Sequence, residues 1–228
     1  MDASTCWMTL GIAGGVLFYG RFYVQWLASE RAGRVVVPMA FWYMSMAGAL
    51  MTFAYSIWRH SPGAAFGLCF NVVIYTRNLV LRWREAGHLN FARNVVIHGL
   101  AVGVTLVAVA LTVLVWQGEW ARNARLPRAE AARNWFWLGL WAAGQAAYFA
   151  RFGVQWLLSE WWGKSVIPRV FWLLSCIGAC CQAPGFFMRP EPDWINGFGQ
   201  SFNLLIYARS LVLSGRKTNG QQRKVVNG

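Results

Sequence analysis

Apolar residues fall along this chain in seven blocks, each closed by a short polar or charged break. The blocks cover roughly residues 6–28, 36–58, 63–82, 94–117, 134–158, 167–188 and 195–214. Each approaches the ~20 apolar residues that a helix needs to cross a bilayer. The breaks read ERAGR, RHSPG, RWREAGHLNFARN, QGEWARNARLPRAEAARN, EWWGK and RPEPDW, with the Gly, Pro and charge signals of turns. The third and seventh blocks are the least apolar, with Gly, Asn and Arg inside them. No stretch between blocks is long enough for a separate soluble domain. The pattern predicts an all-α integral membrane protein with seven transmembrane helices.

Polar positions inside these blocks repeat. RFYVQWLASE (21–30) returns as RFGVQWLLSE (151–160), with eight of ten positions identical. FNVVIYTRNLVL (70–81) returns as FNLLIYARSLVL (202–213), with eight of twelve. Between them Pro38, Phe41, Trp42, Ser45 and Gly48 correspond to Pro168, Phe171, Trp172, Ser175 and Gly178. The offset is 130 residues at first and 132 further on. Each unit is therefore three helices, and the fourth span joins them. One extra span lets both units enter the membrane with the same orientation, a 3+1+3 parallel tandem repeat. The expected organisation is a first three-helix unit over 1–90, a linker transmembrane helix over 91–120 and an outer loop over 121–133. A second three-helix unit over 134–214 and a basic cytoplasmic tail over 215–228 complete it.

Composition supports the solvent assignment. Hydrophobic residues make up 57% and charged residues 13%, where soluble domains carry about a quarter charged. Fifteen tryptophans suit the membrane interface. A net charge of +13 would point to nucleic acid in a soluble protein. Here it belongs to basic loops against anionic headgroups, so membrane lipids and not nucleic acid are the expected partners. With the N-terminus outside, eleven Lys and Arg fall on the cytoplasmic side and six on the outer side. That asymmetry favours an outside N-terminus and a cytoplasmic C-terminus. MDASTCWMTL lacks a basic n-region, so the first segment is expected to be retained.

Cys6, Cys69, Cys176, Cys180 and Cys181 form no CxxC and pair with no His, and read as small buried hydrophobes. His60, His88 and His98 do not recur in the second unit. No metal-ligand spacing, nucleophile elbow or glycine-rich phosphate loop appears. The chain is therefore expected to use no metal or cofactor and not to be an enzyme.

A repeat kept for packing alone would preserve size and small residues; this one preserves Arg, Gln, Ser, Glu, Asn and Tyr as well. A charge near the bilayer centre costs at least ~2.5–3.5 kcal/mol. Arg21, Gln25 and Ser29 lie on one helical face, as do Arg151, Gln155 and Ser159. Facing one cavity, the two arginines would bind phosphate or carboxylate through their guanidinium forks. The alternatives are snorkelling or pairing with Glu30 and Glu160. Those glutamates, at the cytoplasmic helix ends, could gate, carry protons or be solvated. Asn71 and Tyr75, repeated as Asn203 and Tyr207, could bind a polar head or serve as interhelical glue. Arg77 and Arg209 project from the other side of the same helices. Pro38, Trp42 and their copies Pro168 and Trp172 could mark a kink used in gating or an ordinary helix start.

The blocks R-F-x-x-Q-W-x-x-S-E, S/V-x-x-P-x-x-F-W-x-x-S-x-x-G and I-Y-x-R-N/S-L resemble the lipid-A-disaccharide synthase N-terminal domain family, in two copies over 21–81 and 151–213. The resemblance implies a relation to PQ-loop and SWEET-like transporters and a link to lipid-borne sugars of the bacterial envelope. Together with the arginines it implies an inner-membrane transporter or flippase for a polyprenyl (undecaprenyl) phosphate glycolipid of envelope or lipid A biosynthesis. Two alternatives are a SWEET-like facilitator of a small solute and a non-catalytic membrane partner of a glycosyltransferase.

Overall fold

The computed structural model describes residues 2–32, 37–87, 89–161, 168–189 and 192–226. The side chains of Ser29, Glu30, Leu81, Glu85, Phe152, Trp156, Ser159 and Glu160, and those from residue 213 on, lie outside the description. The fold is all-helical, at 89% helix, with no strand among the described residues. It divides into two compact units, Met1–Pro127 and Arg128–Gly228.

The first unit contains α1 (Ala3–Ala32), α2 (Met39–Trp58), α3 (Pro62–Leu68), α4 (Asn71–Glu85) and α5 (Phe91–Asn123). Helix α1 packs on α2, α2 on α3 and α4, and both of these on α5. The second contains α6 (Arg128–Trp161), α7 (Arg169–Met188) and α8 (Trp194–Val226), with α7 packed against both neighbours. The order α1, α2, α3–α4 thus recurs as α6, α7, α8. The stretch expected as an outer loop over 121–133 is mostly helical, because α5 ends at Asn123 and α6 begins at Arg128. The stretch expected as a tail from 215 continues α8.

Helix starts follow from local chemistry. The Asp2 carboxylate accepts from the Thr5 N–H at 2.8 Å, and Asn90 accepts from the Arg93 N–H at 2.9 Å to cap α5. Pro38 and Pro168 are the N-cap residues of α2 and α7, both in extended backbone. They start those helices and do not kink them, since a missing N–H costs nothing there. Asp193 opens α8 by accepting from the Asn196 N–H and side-chain amide, at 3.3 and 2.8 Å.

Small residues set how closely the helices approach. A Cβ on Gly48 would stand 2.5 Å from the Phe18 nitrogen, so α1 and α2 meet backbone to backbone there. Gly178 has the same role against Tyr148 on α6, where an added Cβ would fall 2.7 Å from the ring. Around these contacts the cores match. Ala49, Tyr75, Phe18 and Trp42 in the first unit correspond to Ala179, Tyr207, Tyr148 and Trp172 in the second. Some interior hydroxyls bond to their own helix: Ser56 donates to the Thr52 carbonyl and Thr112 to the Ala108 carbonyl, both at 2.8 Å.

Along the middle of α5 the buried positions are Ala101, Thr105, Ala108, Thr112 and Val115, followed near its end by Glu119 and Asn123, while Leu100, Leu106, Val107 and Leu114 face outward. Small residues inside and large apolar ones outside is the arrangement of a helix surrounded by lipid. By length and apolarity three stretches among the described residues qualify as membrane spans: Pro62–Arg84, Phe91–Asn123 and Arg169–Met188. That is fewer than the seven expected: α1, α6 and α8 carry Arg among their Gly, Trp and Tyr residues, and α2 carries Ser, Thr, Trp and Tyr between its apolar positions.

Candidate functional site

In each unit a repeated arginine sits inside a cage of aromatic rings. Helix α1 supplies Phe18, Arg21 and Phe22, α2 supplies Phe41, and α4 supplies Tyr75. The Arg21 guanidinium carbon stands 3.7 Å from the Phe18 ring centre, 4.7 Å from Phe22, and 5.8 Å from both Phe41 and Tyr75. Its Nη1 donates to the Phe18 carbonyl at 2.5 Å. Its Nε is buried without a hydrogen-bond partner among the described residues, and the residue is 7% exposed.

The second unit repeats the cage with changes. Arg151 lies 4.5 Å from the Tyr148 ring centre, 5.1 Å from Phe171 and 5.5 Å from Tyr207. Its Nη1 donates to the Ser175 hydroxyl at 2.9 Å, and that hydroxyl donates to the Phe171 carbonyl at 2.7 Å. Arg151 is half-buried. Each ring over a desolvated cation contributes ~0.5–2 kcal/mol. Three or four such rings therefore match the ~2.5–3.5 kcal/mol cost of placing the charge at the bilayer centre. The aromatic faces thus offset a cost that the sequence pattern assigns to an anion.

The other predicted residues divide. Tyr75 and Tyr207 form cage walls, and Trp42 and Trp172 back them with ring centres 6.3 and 6.5 Å away. Gln25 and Gln155 are half-buried one turn beyond the arginines. Asn203 is buried and Asn71 half-buried. Arg77 and Arg209 are exposed and take no part in either cage, because they occupy the opposite side of helices whose inner face carries the tyrosines. The side chains of Glu30 and Glu160 lie outside the described residues. No group of three His, Cys, Asp or Glu able to hold a metal comes together among the described residues.

A polar ladder missed at the sequence level runs through the second unit. Gln182 donates to the Gln145 side-chain oxygen at 2.8 Å. Gln200 donates to the Gln182 oxygen at 2.7 Å and to the Tyr148 hydroxyl at 2.6 Å. Asn203 donates to the Gln200 oxygen at 3.3 Å. Gln182, Gln200 and Asn203 are buried, and Gln145 is half-buried. The available signal was spacing: Gln145 and Tyr148 precede Arg151 by six and three residues, extending its face toward the start of α6.

The sequence profile described as the Lipid A Biosynthesis N-terminal domain matches residues 10–80 and 138–212, well over half of the chain. Similar curated proteins are named lipid-A-disaccharide synthase. The Chlamydia caviae protein is 28% identical, covering 83% of this chain and 30% of its own length. The Chlamydia trachomatis serovar D protein is 29% identical, covering 76% and 29%, and the Chlamydia felis protein 26%, covering 83% and 30%. The chain thus spans about 30% of the length of the curated relatives it matches. No solved structure matches it significantly. The expectation that the chain has no enzymatic role is overturned, because these relatives are named for an enzyme. A search for catalytic motifs within the chain could not reveal a relationship that lies in its helical repeats.

Proposed function

The chain belongs to the Lipid A Biosynthesis N-terminal domain family, and from that premise we propose that it binds an anionic lipid-linked sugar through its caged arginines and moves it across the bacterial inner membrane. The carrying observation is the pair of cages: a guanidinium held by three or four rings in each unit, at positions where neutral residues would insert more cheaply. The rings engage the faces of the guanidinium and leave its N–H edge for phosphate oxygens. A polyprenyl phosphate glycolipid combines that charge with a tail suited to the bilayer. Gln25, Gln155, Asn71 and Asn203 contact its polar head. Seven membrane segments in a 3+1+3 parallel repeat, with an outside N-terminus and cytoplasmic C-terminus, provide alternating access.

A second reading is favoured by the names of the relatives and by the chain's coverage of only about 30% of their length. In it, the same cages hold the lipid substrate of a glycosyltransferase of lipid A biosynthesis, and this chain is its membrane-embedded part.

Native mass spectrometry of the protein extracted with its own lipids tests both readings. The wild type is expected to retain a polyprenyl phosphate species. Arg151→Ala should weaken retention by about 10–100-fold, the range for losing a hydrogen bond to a charged group. Arg21→Ala, which removes a more deeply enclosed side chain, should weaken it less. Bulk phospholipid alone, retained equally by all three proteins, would remove the phosphate site. Transport of the lipid in proteoliposomes of the purified chain separates movement from substrate holding.

A further inference from the structure

The duplication is an internal control for the glutamine ladder. Where the second unit has Gln145, Tyr148, Gln182 and Gln200, the first has Gly15, Phe18, Thr52 and Leu68. Both units nevertheless pack their three helices in the same order around matching cores. Glutamines are therefore not what brings these helices together. A fold that can be completed with Gly, Thr, Leu and Phe has taken on buried amides whose every donor and acceptor must then be satisfied.

The ladder has an open end and a closed end. At the closed end the Tyr148 hydroxyl accepts from Gln200 while its ring covers Arg151 at 4.5 Å. At the open end half-buried Gln145 uses its oxygen toward Gln182. The rungs are uncharged, and each amide offers both donors and an acceptor. Such a surface suits neither an anion nor a cation. It suits the vicinal hydroxyls of a saccharide, which are donors and acceptors at once.

We infer that Gln145, Gln182, Gln200 and Tyr148 form a sugar-recognition site confined to the second unit, reading the hydroxyls of a lipid-linked saccharide whose phosphate lies on Arg151. This rests on the phosphate reading of the arginine cage. Because Tyr148 belongs to both the ladder and the cage, the sugar and phosphate subsites share one wall, as the adjacent parts of one headgroup require. The first unit lacks all four groups and so has no counterpart of the sugar subsite.

The test uses the full chain in detergent with two probes in competition, bare undecaprenyl phosphate and undecaprenyl phosphate carrying one hexose, read by native mass spectrometry. The key variant is Gln182→Thr/Gln200→Leu, which installs the residues that the first unit already folds with. Wild type is expected to prefer the glycosylated lipid by about tenfold, the effect of one or two net hydrogen bonds. The variant should bind both lipids equally, with the bare lipid bound as in wild type. Tyr148→Phe, which also copies the first unit, should lower the preference part of the way and serves if the double variant fails to fold. A wild type without preference, or variants that keep it, would overturn the sugar site and leave the phosphate reading intact. If wild type retains neither probe above phosphatidylglycerol, the phosphate reading falls and the sugar site with it.

Discussion

In the first unit Arg21 is sealed behind Phe18, Phe22, Phe41 and Tyr75. In the second, Arg151 is half-buried, bonded to Ser175 and joined through Tyr148 to three glutamines. The same region differs on its far side as well. Leu68, at the position of Gln200, lines an apolar cavity of about 100 Å³ with Ala49, Phe53, Cys69, Val72 and residues of α5. One copy thus closes its interior with hydrocarbon and the other with amides. The shared elements are the arginine, the aromatic walls, the serine and the close-packing glycine, so these define the unit. The elements present in one copy only are free to serve recognition, because the other copy shows that packing does not need them.

The largest expected effect tests the shared geometry. Gly48→Ala should destabilise the protein by about 3 kcal/mol, the upper end for overpacking, because its Cβ would meet the Phe18 backbone. Gly178→Ala should cost about 1–2 kcal/mol, since its nearest contacts are with the Tyr148 ring, at 2.7 Å, and the one backbone atom it approaches, the Gly144 carbonyl oxygen, stands further off at 3.0 Å. Unfolding midpoints in detergent provide the measurement. Equal losses would mean that Tyr148 is held as rigidly as a main chain.

A smaller effect separates the two serines. Ser45 donates to its own helix at the Phe41 carbonyl, so Ser45→Ala should change stability by no more than about 0.5 kcal/mol. Ser175 also accepts from Arg151, and Ser175→Ala should cost about 1.5–3 kcal/mol in the same assay, the range for a hydrogen bond to a charged group. Matching values would erase this distinction between the cages.

The smallest effect is at the helix starts. The Thr5 side chain and backbone hydrogen bonds hold the Asp2 carboxyl below its ordinary value. A lowered folded-state value means that the cap stabilises α1 above the ordinary carboxylate range and is lost as pH falls through the depressed value, below about pH 4. Helix α6, whose described range starts at Arg128, has no such capping aspartate at that position. The protection of the Thr5 amide, measured relative to its intrinsic exchange rate at each pH, should therefore fall in acid while the first turn of α6 shows no matching step. A parallel response at both ends would attribute the change to general acid loosening.

Repetition made the arginines, Ser45 with Ser175, and Tyr75 with Tyr207 visible, because a polar residue repeated inside an apolar block stands out against lipid. The same criterion also selected Arg77 and Arg209, which are repeated as faithfully and lie exposed. It passed over Gln145, Gln182 and Gln200, which occur in one copy only and on three different helices. It also passed over Phe18 and Tyr148, whose rings look like ordinary apolar filling until an arginine is found against them.

The sequence by itself determined that this is a helical chain with membrane-type segments, built on a duplicated three-helix motif, because apolar length and period are local properties. It also marked the positions of the two caged arginines. Tertiary structure decided what surrounds those charges and which polar groups meet. The rotation of each helix about its axis, set by close contacts such as Gly48 on Phe18 and Gly178 on Tyr148, selects the inward face. Hydrogen bonds such as Gln200 to Gln182 and to Tyr148 join residues 18 and 52 positions apart, and only packing brings such partners within reach.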